Sequence, residues 1–218
     1  MHPMIRSSAF LLLGALLALG GCTPTLAPKD YADFRAEAPR SILIVPVTNK
    51  STQADAADNF LATLPIPLAE RGYYVFPVHM VKRTMEDDGL SDADMVAASD
   101  TVRLAALFGA NSVLYASIED WTSRYILLST STSVKIHYTL KSGTTGKTLW
   151  DRTVQTVYSP QASSGGNPLA SLIAGAIIAA IERAHPSYLP LARQANTLAF
   201  YQEGQGVLLG PYDSAAKR

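Results

Sequence analysis

The one cysteine in this chain of 218 residues is Cys22, and it follows Leu19-Gly20-Gly21 directly. A thiolate is the side-chain nucleophile suited to accepting a lipid through sulfur. Gly20 and Gly21 are small enough for a peptidase to grip as extended backbone. The run before them, Ala9–Leu19, is apolar, and a short segment with a single cation, Arg6, precedes it. That layout is a secretory signal with small residues before the cut. A membrane-spanning reading of Ala9–Leu19 fails on length, because a span needs roughly 20 residues.

With Cys22 included, the pattern resembles the lipobox of bacterial lipoproteins, Leu-(Ala/Ser/Gly)-(Gly/Ala)-Cys. Leu19, Gly20, Gly21 and Cys22 fit at all four positions. The resemblance implies a diacylglycerol thioether on Cys22, cleavage before it, and a further acyl chain on its new amino group. No other cofactor is expected. Two or more chains hold a protein stably on a bilayer, at about 0.8 kcal/mol per buried methylene. The next residue is Thr23, not Asp. In the bacterial sorting pattern this favours the outer membrane, on its periplasmic face, with the cell surface as the alternative.

The remaining groups that could do chemistry are scattered. Glu119-Asp120 could act as an acid–base pair, although a strand end beside Trp121 more commonly carries solvated carboxylates. Asp87, Asp88, Asp92 and Asp94 suggest helix capping and dipole compensation more than a metal site. His79, His137 and His185 lie far apart without ligand spacing. Ser163-Ser164-Gly165 has serines but no evident base. Gly146-Lys147-Thr148 looks like the end of a phosphate loop, yet Lys141 stands where the pattern requires glycine. No metal and no catalytic residue is expected, and the chain is not expected to be an enzyme.

Composition narrows the partners. Lys+Arg and Asp+Glu are both 18. Arg6 would leave with the signal, so no strong field remains to attract nucleic acid. Removing 21 of 218 residues leaves 197, enough for one well-cored domain.

The elements that must position these groups follow from periodicity. Residues 1–21 are the signal, 22–40 a Pro-rich tether, 41–203 the domain, and 204–218 a loose Gly-rich tail. Ser41–Val47 is a continuous apolar run, the mark of a strand buried on both faces. Asn49 is expected to hold the following turn through its side chain. Ala54–Arg71 reads as a helix that Pro65 and Pro67 must kink or split, ended by Gly72. Tyr73–Val78 is the second strand, parallel to the first through a right-handed crossover. His79–Asp88 is a short helix. A longer one runs from a Ser91 cap to Phe108, with Met95, Val96, Val102, Leu104 and Leu107 mostly inward. Val113–Ile118 is the third parallel strand. Arg124–Lys141 and Lys147–Tyr158 form an added antiparallel hairpin, with Val134, Ile136, Tyr138 and Leu140 on its dry face and Lys135, His137, Thr139 and Lys141 on its wet face. Leu169–Ile181 is an apolar helix, followed by a last helix over Ser187–Tyr201. The stripe Ser171, Gly175 and Ala179, flanked by Ile173 and Ile177, suits close packing on the sheet or contact with another chain. The fold class is α/β: a three-layer sandwich whose mixed sheet has parallel core strands and an antiparallel hairpin.

Four stretches together carry a family resemblance: Ile42–Pro46; Pro67–Val78; Phe108-Gly109-Ala110 before Val113-Leu114-Tyr115; and Thr145–Trp150. They are similar to a family of bacterial lipoproteins of unknown function, the type of one meningococcal surface antigen. The wider resemblance is to the TolB N-terminal-like fold, shared with LpoB, CsgG and PelC. It implies the same mixed α/β sandwich; those lipoproteins have roles in envelope assembly or secretion, but fold analogy does not fix function. The expectation is therefore a lipid-anchored protein that works by contact with an envelope partner or with itself. The alternatives are a periplasmic hydrolase using Glu119 or Asp120, and a binder of a small ligand near Asn49.

Overall fold

A computed structural model describes residues 27–126, 129–159, 180–181, 184 and 188–214. In chain order the elements are α1 (Ala32–Glu37), β1 (Ser41–Ile44), β2 (Thr48–Asn49), α2 (Ala56–Leu61), α3 (Pro65–Glu70), β3 (Tyr74–Val75), α4 (Val78–Asp87), α5 (Ala93–Ala98), α6 (Thr101–Phe108), β4 (Ser112–Ile126), β5 (Ser129–Ser142), β6 (Thr148–Tyr158) and α7 (Tyr188–Tyr201). They build a six-stranded mixed sheet in the order β3-β1-β4-β5-β6, with β2 beside β4. β1 pairs parallel with β3, Ile42 opposite Val75, and with β4, Leu43 opposite Val113. β5 pairs antiparallel with both β4 and β6.

Alternation along β1 creates two cores. Ile42 and Ile44 face one with Phe60, Leu64, Leu68, Tyr138 and Phe200. Leu43 and Val45 face the other with Val81, Met85, Val96 and Leu104. The β1 run is thus buried on both faces, as its unbroken apolar sequence requires. β5 has one dry face: Val134, Ile136, Tyr138 and Leu140 are buried, while Lys135, His137, Thr139 and Lys141 are half-buried. The second core takes no residue from β5 or β6, so the third layer spans the parallel half of the sheet.

Proline explains why two strands are shorter than expected. β1 stops before Pro46 and pairing resumes at Thr48, because proline has no N–H for the ladder. β3 ends before Pro77, and Val78 already begins α4. The helix expected over Ala54–Arg71 is split into α2 and α3, with Pro65 at the first position of α3. The helix expected from Ser91 to Phe108 is also two. Asp92 caps α5 by accepting from Met95 N at 2.9 Å, and Asp100 caps α6 by accepting from Arg103 N at 3.0 Å. The break re-aims its side chains. Val96 and Leu104 are buried, but Met95, Val102 and Leu107 are exposed, contrary to expectation.

The third parallel strand and the hairpin are not separate either. β4 continues from Ser112 through Arg124 to Ile126, so one strand serves both halves of the sheet. A bulge makes this work: Ile118 pairs with Ile136 and Asp120 with Lys135, leaving Glu119 as the extra residue. Ile118 and Trp121, three apart, therefore both enter the first core.

Both ends of the described chain are more ordered than the sequence suggests. In the segment expected as a tether, Tyr31 and Phe34 are buried and α1 forms between Tyr31 and Ala38. In the segment expected as a loose tail, Val207 is buried. Gly210 N donates to Arg71 O at 2.7 Å and Tyr212 N to Gly72 O at 3.0 Å. The tail carbonyls accept from Tyr31 Oη, Tyr73 Oη and Trp150 Nε1. Aromatic donors across the fold fix it in place. Among the described residues no helix is long and apolar enough to cross a membrane.

Candidate functional site

The acid–base candidates sit at the β4 bulge, and they do not converge. Lys50 Nζ donates to Glu119 Oε1 at 2.9 Å and to Oε2 at 3.2 Å, while Ser117 Oγ donates to Oε1 at 2.8 Å. These bonds, the Lys50 one first, hold the Glu119 carboxyl below its ordinary pKa despite partial desolvation. A carboxyl held ionised in this way is a poor proton donor near neutrality. Asp120 accepts from Thr122 Oγ1 at 2.9 Å instead of facing Glu119.

The other candidates are structural where they are described. Asn49 Oδ1 accepts from Ser51 N and Ser51 Oγ, and its Nδ2 donates to Gln53 O at 2.7 Å. It holds the turn as expected. His137 on the wet face of β5 is bracketed by Thr153 Oγ1 at 2.9 Å and Thr139 Oγ1 at 3.1 Å. His79 is exposed on α4. Asp87 pairs with Arg83 one turn earlier, and Asp92 is a cap. Among the described residues no three His, Cys, Asp or Glu side chains could hold a metal ion together. Gly146-Lys147 lies in the β5–β6 turn, where Ser142 Oγ accepts from Thr144 N and Thr145 N. No helix begins there to receive phosphate.

Leu19, Gly20, Gly21 and Cys22 lie outside the described residues, as do Ser163, Ser164, His185 and the stripe Ser171, Ile173, Gly175, Ile177 and Ala179.

What the structure adds is a groove of about 510 Å³ between the α2–α3 corner and α7. Pro65 creates the corner by ending one helix and starting the next. Ile66, 66% exposed, and Leu189, 38% exposed, stand on its walls, and Arg193 and Tyr201 are on its rim. Asn196 supports the floor. Its Oδ1 accepts from the buried Tyr138 hydroxyl at 2.8 Å, and its Nδ2 donates to Thr63 Oγ1 at 2.8 Å. At one rim Tyr201 Oη lies 2.6 Å from Glu70 Oε2, beneath the Arg71 guanidinium. Burial and that carboxylate push the Tyr201 phenol up to about 12. The sequence carries one sign of this arrangement: Asn196 lies among Ala192, Ala195 and Ala199, a polar residue on the core face of an apolar helix.

The shape and chemistry of the groove suit contact with apolar side chains, and its Asn196, Thr63, Tyr201 and Glu70 groups are bonded within the fold. Comparison with known proteins places this scaffold. Residues 29–212 match the family described as "Putative lipoprotein GNA1162-like". A curated relative, "Putative lipoprotein NMB1124/NMB1162" of Neisseria meningitidis serogroup B, is 34% identical over 182 residues, which are 83% of this chain and 80% of the relative. The crystal structure of lipoprotein GNA1162 from Neisseria meningitidis matches with 30% identity and a TM-score of 0.55, covering 66% of this chain and 99% of that one. A PelC dodecamer structure from Paraburkholderia phytofirmans is also similar, at 13% identity and a TM-score of 0.44, over 84% of this chain and 95% of that one. The family match over most of the domain, the meningococcal relative and the mixed-sheet structure agree, and the chain belongs to the GNA1162-like lipoprotein family.

Proposed function

We propose that this protein is a non-enzymatic component of a cell-envelope assembly or secretion complex, anchored to the outer membrane through acylated Cys22 and working by contact with an envelope protein. The observation that carries the reading is the open apolar groove over α2, α3 and α7. Ile66 and Leu189 stand exposed there, while the nearest thing to catalytic machinery, Glu119, is held ionised by Lys50. Exposed concave apolar surface suits recognition of a partner's apolar side chains. Arg193 on the rim, without an ion pair among the described residues, would meet a carboxylate beside them. The stripe Ser171, Gly175 and Ala179, with Ile173 and Ile177, would extend the contact if it packs against another chain.

Palmitate labelling and membrane fractionation test the anchor. Label is expected in the outer-membrane fraction and absent from Cys22→Ala. Crosslinking in cells tests the contact. A reproducible envelope partner, weakened by Ile66→Glu or Gly175→Leu in a folded protein, supports the adaptor reading. A chain that crosslinks to nothing and whose cellular role disappears in Glu119→Gln would replace it with a hydrolase.

A further inference from the structure

The described chain begins already fastened to the domain. Gln205 Nε2 donates to Ala27 O at 2.6 Å, and Lys29 N donates to Gly204 O at 3.0 Å. Only residues 23–26 stand between Ala27 and Cys22. Five Cα steps at full extension reach roughly 18 Å. A domain of this size has a radius of gyration of about 16 Å. Its diameter therefore exceeds the reach of its leash, and whichever face carries Ala27 must lie against the surface that holds Cys22. This follows from the acyl-anchor reading, and it departs from the long tether that the prolines suggest.

Beside Ala27 is a groove of about 480 Å³. Tyr31 and Val207 lie inside it, and Lys29, Arg35, Arg71 and Leu209 are among its lining. Three cations meet one carboxylate there, Glu203. Lys29 is paired with Asp151 at 3.2 Å, but neither Arg35 nor Arg71 has a carboxylate at ion-pair distance among the described residues. Their guanidinium groups lie over the Tyr31 and Tyr201 rings, at 5.9 Å and 5.5 Å. Arg71 Nη2 donates to Val207 O, while its Nε is buried without a hydrogen-bond partner among the described residues. Leu209, 43% exposed, adds an apolar rim. Cations backed by aromatic rings beside an exposed aliphatic side chain match the headgroup–acyl boundary of a bilayer, where phosphate lies next to hydrocarbon.

We propose that the Lys29–Arg35–Arg71 groove is the membrane-facing surface of the domain and seats anionic lipid headgroups of the bilayer that carries Cys22. The domain rests on that bilayer through this face, leaving the α4–α6 layer turned outward.

The test uses the acylated full chain in vesicles of phosphatidylcholine, with and without phosphatidylglycerol. Acylated Cys22 leaves an introduced cysteine as the sole free thiol, so Leu209→Cys and Asp94→Cys can each take one fluorophore. A quencher on lipid headgroups is expected to dim the Leu209→Cys label several-fold more than the one on α5. Arg35→Glu, with circular dichroism unchanged, is expected to abolish the extra quenching that phosphatidylglycerol gives. Equal quenching at both positions, or stronger quenching on α5, would overturn the proposal, as would an Arg35→Glu variant that keeps the phosphatidylglycerol effect. Mass spectrometry of Cys22 separates the two readings. A missing acyl mass removes the anchor and this inference with it, whereas an acylated chain with the wrong quenching pattern removes this inference alone.

Discussion

The Tyr138 hydroxyl donates to Asn196 Oδ1 at 2.8 Å between two side chains that are both essentially inaccessible, at 0% and 1% exposure. Asn196 passes the connection on, through Nδ2, to Thr63 Oγ1 at 2.8 Å and Thr63 O at 3.2 Å. One amide thus ties β5 and α7 to the α2–α3 corner. Burial holds the Tyr138 phenol far above its ordinary pKa, so it remains a donor. Replacing Asn196 with alanine strands the Tyr138 hydroxyl and takes the amide donor from Thr63, whose own hydroxyl still donates to Phe60 O at 2.6 Å. Each unsatisfied group costs about 1–3 kcal/mol, so urea unfolding of Asn196→Ala should show a loss of about 2–4 kcal/mol. Tyr138→Phe should lose less. The two together should lose less than their sum, because they remove one shared bond.

Gly72 and Gly89 share a φ of +83° but differ in surroundings, which separates backbone strain from collision. A Cβ on Gly72 would meet Asp213 Cβ at 2.6 Å and its Cα at 2.8 Å; at Gly89 nothing lies within 4 Å. Gly89→Ala should cost about 1 kcal/mol, the penalty for that backbone region. Gly72→Ala should cost more than about 2 kcal/mol, since it must also displace the strap of residues 210–213. Equal losses in thermal unfolding would mean that the strap is not docked as described.

The Tyr201 phenol, raised to about 12 by burial and by Glu70, links stability to alkaline pH. Unfolded, it titrates near 10. The folded state holds the proton more tightly, so its contribution is complete below about pH 10 and is lost as pH rises toward 12. Tyr201→Phe should flatten the loss of stability across that window, measured by unfolding at a series of pH values. A wild-type slope that persists in the variant would contradict the assignment.

Glu119 provides the opposite sign. Its carboxyl is held low chiefly by Lys50, so its contribution is present above the ordinary carboxylate pKa and fades as pH falls through the depressed folded value. The pair lies at the surface, where such bridges contribute no more than about 1 kcal/mol. Glu119→Gln should therefore lose less than about 1 kcal/mol at neutral pH, show a shallower acid slope, and keep its cellular role. Loss of that role with the fold intact would point to chemistry at the bulge.

Local rules were enough to read much of this chain. The unbroken run Ile42–Val47 demanded burial on both faces, and it is buried, although the strand itself stops at Ile44 ahead of Pro46. The alternation from Val134 to Lys141 gave the dry and wet faces of β5. Asn49 holds its turn, and Pro65 splits its helix, because both effects act within a few residues. The lipobox resemblance at Leu19–Cys22 is also a local pattern, and it lies outside the described residues. Tertiary structure decided what depends on partners distant in sequence. The carbonyls of residues 204–214 look free until Tyr31, Tyr73 and Trp150 donate to them from far along the chain, turning a Gly-rich tail into a strap. The same strap shortens the tether by fastening Ala27 and Lys29. The Glu119 bulge shifts the phase of β4 by one residue, so no strict alternation could place Ile118 and Trp121 in the same core. Asn196 looks like an error in an apolar helix until Tyr138 and Thr63 are brought to it. Hydrophobic period and proline placement are properties of neighbours in sequence, and they set the elements. Hydrogen bonds and register across long separations exist only once the chain has closed, and they set the groove, the strap and the face beside the anchor.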